Sequence, residues 1–207
     1  ELGHDAFTLV DGKYLITHLR KENPDLAWVC TGGIQGRHSV AHTPSILEML
    51  GIPYVGSPPL VAALADHKPT AKKIMLYAGL PTAKFQVLDY PDQTLSRELD
   101  FPLIVKPGNG LCSCGIHRVA NEIELRSRVR EILSLYHSAA LVETYLDGRD
   151  FTVPVLGHNN PKALPLFERR FYEPEEAMRE DAGLTLPHER SSFSEMSLIP
   201  EDLPLLE

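Results

Sequence analysis

The first quarter of the chain alternates between helical and strand-like patterns. Apolar spacing predicts a short helix over residues 14–21, and the apolar run at residues 26–30 predicts a buried strand. A second helix is expected to begin at Thr43, because threonine is a good N-cap. Gly51 marks its end, since glycine readily takes the left-handed conformation that follows a helix. This region therefore has α/β character, and the Pro58-Pro59 pair marks its boundary.

The middle of the chain continues the mixture of helices and strands. Asn121 with Glu124 resembles a capping box at the start of an amphipathic helix. Beyond Pro161 the periodicity fades, and we expect part of residues 168–207 to form a mobile loop. The elements predicted before that point are helices at 69–78 and 121–136 and strands at 85–88, 101–106, 116–119, 139–145 and 151–156.

The strand at 101–106 and the loop after it carry the strongest chemical signal. The apolar run ends on Lys106, and Pro107 is expected to stop strand pairing because it has no N–H to donate. Three glycines follow within residues 108–115. Such a loop can fold over a phosphate chain, since glycine lets backbone N–H groups approach anionic oxygens, and a lysine adds a point charge. A glycine-rich hairpin turn beside a surface lysine is the alternative.

Composition narrows the classes of function. The chain has 207 residues and is 43% hydrophobic, enough for one large domain or two small ones with a core. The net charge of −8, without a block of basic residues, disfavours a nucleic-acid partner. No apolar run reaches membrane-spanning length, so no membrane partner is expected. Cys112 and Cys114 are too close for an ordinary structural disulfide, and we expect a reduced, cytoplasmic protein.

The order of these segments resembles the ATP-grasp fold, and most of all the D-alanine–D-alanine ligase family. The resemblance covers roughly residues 44–157 and is carried by the segments 50–57, 68–82, 101–107 and 141–153. It implies an α/β (α+β) ATP-grasp fold with a truncated Rossmann-like subdomain at residues 1–58. The N-terminal ATP-grasp subdomain with the glycine loop is then expected at 59–146, and a partial C-terminal subdomain with a mobile loop at 147–207.

The resemblance also implies a nucleotide site. Lys68 and Lys106 match the two lysines that grip the phosphates, and Glu143 matches the acceptor for the adenine amino group. These roles suit the side chains, because lysine neutralises phosphate charge and a carboxylate only accepts hydrogen bonds. Taken singly, a solvated lysine, a surface ion pair or a turn acid explains each residue; together they favour nucleotide binding. Three further residues match the family's contacts to the adenine edge and the ribose: Tyr145, Leu146 and Asp150.

The glycine loop departs from the Gly-Ser-Ser pattern of the family. Cys112 stands where a serine contacts phosphate, and a thiol is a poorer donor. Ser113 remains and is the candidate catalytic residue; with Cys112 it is also assigned to the nucleotide site. Backbone N–H groups of the loop can still bind phosphate oxygens.

The implied reaction joins a carboxylate to an amine. The carboxylate attacks the γ-phosphate of ATP to give an acyl phosphate, and the amine then displaces phosphate. ATP and Mg²⁺ are the implied cofactors, a small amino acid is the implied substrate, as in peptidoglycan biosynthesis, and a homodimer is possible. The Mg²⁺ ligands are not identified, because no Arg-x-Asp strand with a following Glu-x-Asn cluster is found. A nucleotide-binding module without ligase chemistry and a ligase for another carboxylate remain alternatives.

Overall fold

The computed structural model describes residues 3–30, 32–33, 36, 38–110, 114–157, 159–172 and 193–198. The chain divides into two compact units, residues 1–145 and 146–207. The three predicted domains, with boundaries after residues 58 and 146, stay a prediction. In the described part of the chain, no helix has the length and apolar character needed to cross a membrane.

The first unit mixes helices with short strands, as predicted. Its elements are α1 (Leu15–Glu22), β1 (Ala27–Trp28), a 3₁₀ turn (Ser39–Ala41), α2 (His42–Leu50), β2 (Tyr54–Val55), α3 (Pro59–Asp66), α4 (Lys68–Tyr77), β3 (Phe85–Leu88), β4 (Leu103–Pro107), β5 (His117–Val119), α5 (Glu122–Leu135) and β6 (Ala140–Thr144). The second unit contains β7 (Asp150–Thr152), β8 (Val155–Leu156), β9 (Lys162–Ala163), β10 (Phe167–Tyr172) and β11 (Phe193–Leu198).

The leading part of the first unit packs α1 and α2 around a small core beside the parallel pair β1–β2. Two predictions are wrong here. The expected buried strand at 26–30 is only two residues long, and Trp28 is 75% exposed. Thr43 is not the N-cap: α2 begins at His42, and the Thr43 hydroxyl instead donates to Asp11 at 3.2 Å. Gly51 ends the helix with φ 70°, as predicted.

A four-stranded antiparallel sheet follows, in the order β3-β6-β4-β5. Helix α5 covers one face, where its apolar stripe joins Val105 and Val142 in the largest core cluster. Because successive side chains on a strand point to opposite faces, Lys106 and Glu143 lie on the face away from α5. The fold therefore buries one sheet face against α5 and places Lys106 and Glu143 on the other face, beside the buried Leu141. The strand predicted at residues 116–119 is confirmed as β5, which pairs antiparallel with β4.

Strand β4 continues past Lys106, although Pro107 was expected to end its pairing. It includes Pro107, which lies opposite Ala140 of β6. The ladder continues because the N–H of Gly108 donates to the carbonyl of Ala139 at 2.9 Å. Pro107 has no N–H to donate, and Gly108 provides the next donor of the ladder.

Helix α3 was not predicted, since its sequence shows only the Pro58-Pro59 boundary. Pro59 occupies its first turn, where a missing N–H costs little. Helix α4 follows directly, and its N-cap is His67, whose Nδ1 accepts from the N–H of Thr70 at 3.3 Å. The two helices thus meet at a tight junction around residues 66–68, which positions part of the candidate site.

The second unit contains two small sheets. β7, β10 and β11 form an antiparallel sheet in the order β11-β10-β7, and β8 pairs with β9. β10 and β11 pair along six residues, and the mobile loop expected in part of residues 168–207 stays a prediction. Residues 173–192 and 199–207, where the rest of that expectation falls, lie outside the described residues.

The start of α5 tests the capping prediction. Asn121 accepts from the N–H of Glu124 at 3.0 Å, and Glu124 in turn accepts from the N–H of Ala120 at 2.9 Å. We expect Asn121→Ala to lower the free energy of unfolding by about 1 kcal/mol, the usual cost of a lost N-cap. Urea unfolding followed by circular dichroism measures this change. Asn121→Ser, which keeps a capping oxygen, is the control; equal destabilisation by both variants would contradict the cap.

Candidate functional site

A buried carboxylate lies at the centre of the site. Glu143 of β6 is 9% exposed and pairs with two lysines: Oε1 with the ammonium of Lys106 on β4, and Oε2 with that of Lys72 on α4 at 2.9 Å. A surface ion pair, the alternative considered for Glu143, is therefore wrong. Burial of the carboxylate between two cations is the arrangement that a charged group away from water requires.

Lys72 was not among the predicted site residues. Its ammonium also donates to Thr82 Oγ1 at 2.7 Å and lies 5.1 Å from the centre of the Phe85 ring. The sequence does carry a signal for it, because Lys72 lies four residues after Lys68 and the two share one face of α4. Its partner Glu143, however, is distant in the sequence, so the local pattern does not indicate the pairing.

Lys68 lies at the first position of α4 and contacts the glycine loop twice. Its N–H donates to the carbonyl of Gly108 at 2.8 Å, and its ammonium donates to the carbonyl of Gly110 at 2.7 Å. The N–H of Gly110 donates to Asp66 at 2.9 Å, so residues of the α3–α4 junction bind both the N–H and the carbonyl of Gly110. Asp66 is buried and was not predicted; nothing in its local sequence indicates a loop 44 residues away.

The other side of the loop is held by the segment before β6. Ser138 Oγ accepts from the N–H of Gly108 at 3.1 Å and donates to Asn109 Oδ1 at 2.6 Å. Gly115 has φ 73°, and a Cβ there would lie 2.8 Å from the Tyr136 ring, so glycine is required at that position. The loop is thus fixed at both of its described ends.

Two predicted loop residues, Cys112 and Ser113, lie outside the described residues. The assignment of Ser113 as catalytic, and of both residues to the nucleotide site, stays a prediction. Cys114 is described and lines the cavity next to the loop.

A cavity of about 490 Å³ opens beside the loop. Lys68, Lys106 and Gly110 line it on one side, and Val40 and Ser57 of the leading part line it on another. Its size falls in the range of about 300–1,000 Å³ that is usual for small-molecule sites. Two ammonium groups over a mainly apolar wall form a suitable environment for a phosphate chain. The residues present therefore fit a nucleotide.

No magnesium site is identified among the residues that the structure describes. Among the described residues, no group of three or more His, Cys, Asp or Glu side chains is arranged to hold a metal ion. No Mg²⁺ ligand is therefore assigned.

The surroundings of Lys68 in the cavity change the pKa of its side chain. Burial lowers the pKa of its ammonium from the ordinary value of 10.5; the carboxylate of Asp66 opposes this effect, Lys106 adds to it and Glu143 opposes it. The two carboxylates therefore offset the burial of the Lys68 ammonium only in part. An incoming anion would favour its charged form.

The remaining predicted residues lie around the unit boundary. Tyr145 ends the first unit; its N–H donates to the Pro102 carbonyl at 3.3 Å, and its ring lies 4.7 Å from the Arg118 guanidinium. Leu146 and Asp150 belong to the second unit and are exposed. Their predicted contacts to the adenine edge and the ribose stay predictions.

Arg149, next to Asp150, pairs with Glu168 through two hydrogen bonds of 2.7 and 3.1 Å. This hydrogen bonding raises the pKa of the already basic Arg149 guanidinium. The pair joins the loop before β7 to β10 within the second unit, so its evident role is structural.

The antiparallel sheet, its glycine loop and the two lysines at one cavity define an ATP-grasp fold. The family model described as "D-ala D-ala ligase C-terminus" matches residues 74–180, just over half of the chain. The chain therefore belongs to the D-alanine–D-alanine ligase family, which confirms the resemblance seen in the sequence.

Individual relatives agree with this assignment. A D-alanine–D-alanine ligase of Desulforudis audaxviator is 34% identical over 170 residues, covering 80% of this chain and 55% of the relative. An uncharacterised protein of Sinorhizobium fredii, y4sG, is 34% identical over 176 residues, covering 81% and 52%. The crystal structure of the Bacillus anthracis ligase in complex with ATP matches with a TM-score of 0.65 and 25% identity, covering 91% of this chain and 58% of that one. The chain thus spans about half the length of the curated relatives that it matches.

The lowered pKa of Lys68 predicts a specific pH dependence of stability. Between that lowered value and 10.5 the unfolded chain binds more protons at this residue than the folded chain does. Stability therefore rises with pH in this window. We expect wild-type protein to gain free energy of unfolding relative to Lys68→Met as the pH increases from about 7 to about 10.

Urea unfolding of both proteins at each pH measures this difference, because titrations that they share cancel. A wild-type protein that loses stability relative to the variant over the same range would show that Asp66 and Glu143 outweigh burial at Lys68.

Proposed function

We propose that this protein acts as an ATP-dependent carboxylate–amine ligase of the D-alanine–D-alanine type. The observation that supports this most strongly is the convergence of Lys68, Lys106 and Gly110 of the loop on one cavity. Each group comes from a different element, and all three suit phosphate binding. A hairpin turn with a solvated lysine would not require the contacts of Lys68 with Gly110 and of Lys106 with Glu143.

Binding of ATP requires both lysines to exchange partners. Lys68 gives up the Gly110 carbonyl for a phosphate oxygen, and Lys106 turns from Glu143 to the phosphates. Charged hydrogen bonds to phosphate are stronger than those to a neutral carbonyl, so the exchange at Lys68 is favourable. Glu143 then has an oxygen free to accept from the adenine amino group.

The reaction follows from this placement. ATP supplies a phosphoryl group to the substrate carboxylate, and attack by an amine forms the new C–N bond. The residues of this chain bind and orient the phosphates, and the loop N–H groups stabilise charge during transfer. Mg²⁺ is proposed as a cofactor from the family alone, with no residue assigned to it. A small amino acid is the proposed substrate, and a homodimer is the proposed assembly.

Nucleotide binding is tested first. ATP at about 100 times its dissociation constant should stabilise the folded protein by about 2.7 kcal/mol, seen as a raised melting temperature with and without Mg²⁺. Lys106→Ala should weaken ATP binding by about ten-fold or more, since a hydrogen bond to a charged group contributes about 1.5–3 kcal/mol. Lys73→Ala, an exposed lysine of the same helix as Lys68, is the control. Unchanged ATP affinity in Lys106→Ala would refute the phosphate assignment.

Turnover distinguishes the ligase from a module that only binds nucleotide. Phosphate release from ATP should rise when D-alanine is added, and rise less with L-alanine or glycine. A larger response to another amino acid would indicate a different substrate. ATP binding without amino-acid-dependent phosphate release would favour the non-catalytic module.

A further inference from the structure

We propose that Lys72 is a positioning residue that sets the base selectivity of the nucleotide site by holding Glu143 while Lys106 moves to the phosphates. This inference rests on the proposed nucleotide site. It concerns a residue that has no assigned role there and that acts through Glu143.

The two lysines on Glu143 are held differently. Lys106 lines the cavity, so its ammonium can turn toward a ligand without leaving its strand. Lys72 is fixed from three sides: by Glu143 Oε2 at 2.9 Å, by Thr82 Oγ1 at 2.7 Å and by the Phe85 ring at 5.1 Å. Its side chain is only 11% exposed. Lys106 is therefore the lysine that exchanges partners, and Lys72 is the one that stays.

Glu143 needs a permanent partner if Lys106 leaves. Both carboxylate oxygens are engaged, one by each lysine. A buried carboxylate that lost its only cation would reorient or take up a proton, because an uncompensated buried charge is strongly unfavourable. With Lys72 in place, one oxygen remains bound and the other becomes available in a fixed direction.

The released oxygen can discriminate between purines. Adenine presents an amino donor at the position where guanine presents a carbonyl acceptor. A carboxylate only accepts hydrogen bonds, so it attracts the first and repels the second. If Glu143 were free to rotate or to carry a proton, it could donate to guanine and the preference would fall. Lys72 on α4 thus acts on the preference for adenine through its contact with Glu143.

The test compares ATP and GTP affinities by calorimetry in wild-type protein, Lys72→Met and Lys73→Met. We expect Lys72→Met to lower the preference for ATP over GTP by about ten-fold, the contribution of one charge-assisted hydrogen bond. Lys72→Arg, which keeps the cation, should restore much of the preference. Lys73→Met removes a neighbouring exposed charge from α4 and should leave the preference unchanged.

Thr82→Val provides a second variant in case Lys72→Met does not fold. It removes one acceptor of Lys72 without changing charge, and should lower the preference by a smaller factor. If wild-type protein prefers ATP and these variants weaken ATP and GTP equally, Lys72 only supports the fold; the inference is then overturned while the proposed function stands. If wild-type protein binds no nucleotide, both fail.

Discussion

The buried ion pairs of Glu143 with Lys72 and Lys106 are the interactions on which the rest of the structure depends. They join β6, β4 and α4 on the sheet face that α5 does not cover. A buried carboxylate needs at least one cation beside it, because losing both would leave an uncompensated charge away from water. The register of β4 against β6 and the position of α4 on the sheet are therefore constrained together. The same contacts hold Lys106, which also lines the cavity.

Helix α4 connects the two halves of the site. Lys68 at its first turn contacts the glycine loop, and Lys72 one turn later contacts Glu143. Side chains four residues apart lie on one face of a helix, so a single rigid element sets the spacing between the contact to the glycine loop and the contact to Glu143. Asp66, just before α4, holds the Gly110 N–H and so ties the loop to the same element. A shift of α4 would move all of these contacts at once.

Sequence reasoning succeeded where the signal is local and failed where it is not. The capping box of α5 and strand β3 follow from short patterns. The order of familiar segments indicated Lys68, Lys106 and Glu143, whose roles toward a nucleotide stay predictions. The roles of Asp66 and Lys72 depend on partners that only the fold brings close. Pro107 was misjudged because the missing donor was considered without Gly108, which continues the ladder. Helix α3 was missed because Pro58-Pro59 indicates a boundary. The apolar residues that follow are also not interrupted by polar residues at helical spacing.

The partners of the Lys68 and Lys106 ammonium groups have a consequence for affinity. The ammonium of Lys68 is bonded to a backbone carbonyl and that of Lys106 to a carboxylate, so neither is waiting in water for a phosphate. The exchange at Lys68 replaces a neutral acceptor by a charged one, and the exchange at Lys106 replaces one carboxylate by phosphate oxygens and also releases Glu143 for the base. Under the proposed function, both lysines therefore contribute to affinity, Lys106 in part through Glu143. Phosphate binding and base recognition are then coupled through one shared carboxylate, and a ligand that provides only one of them would leave the exchange incomplete.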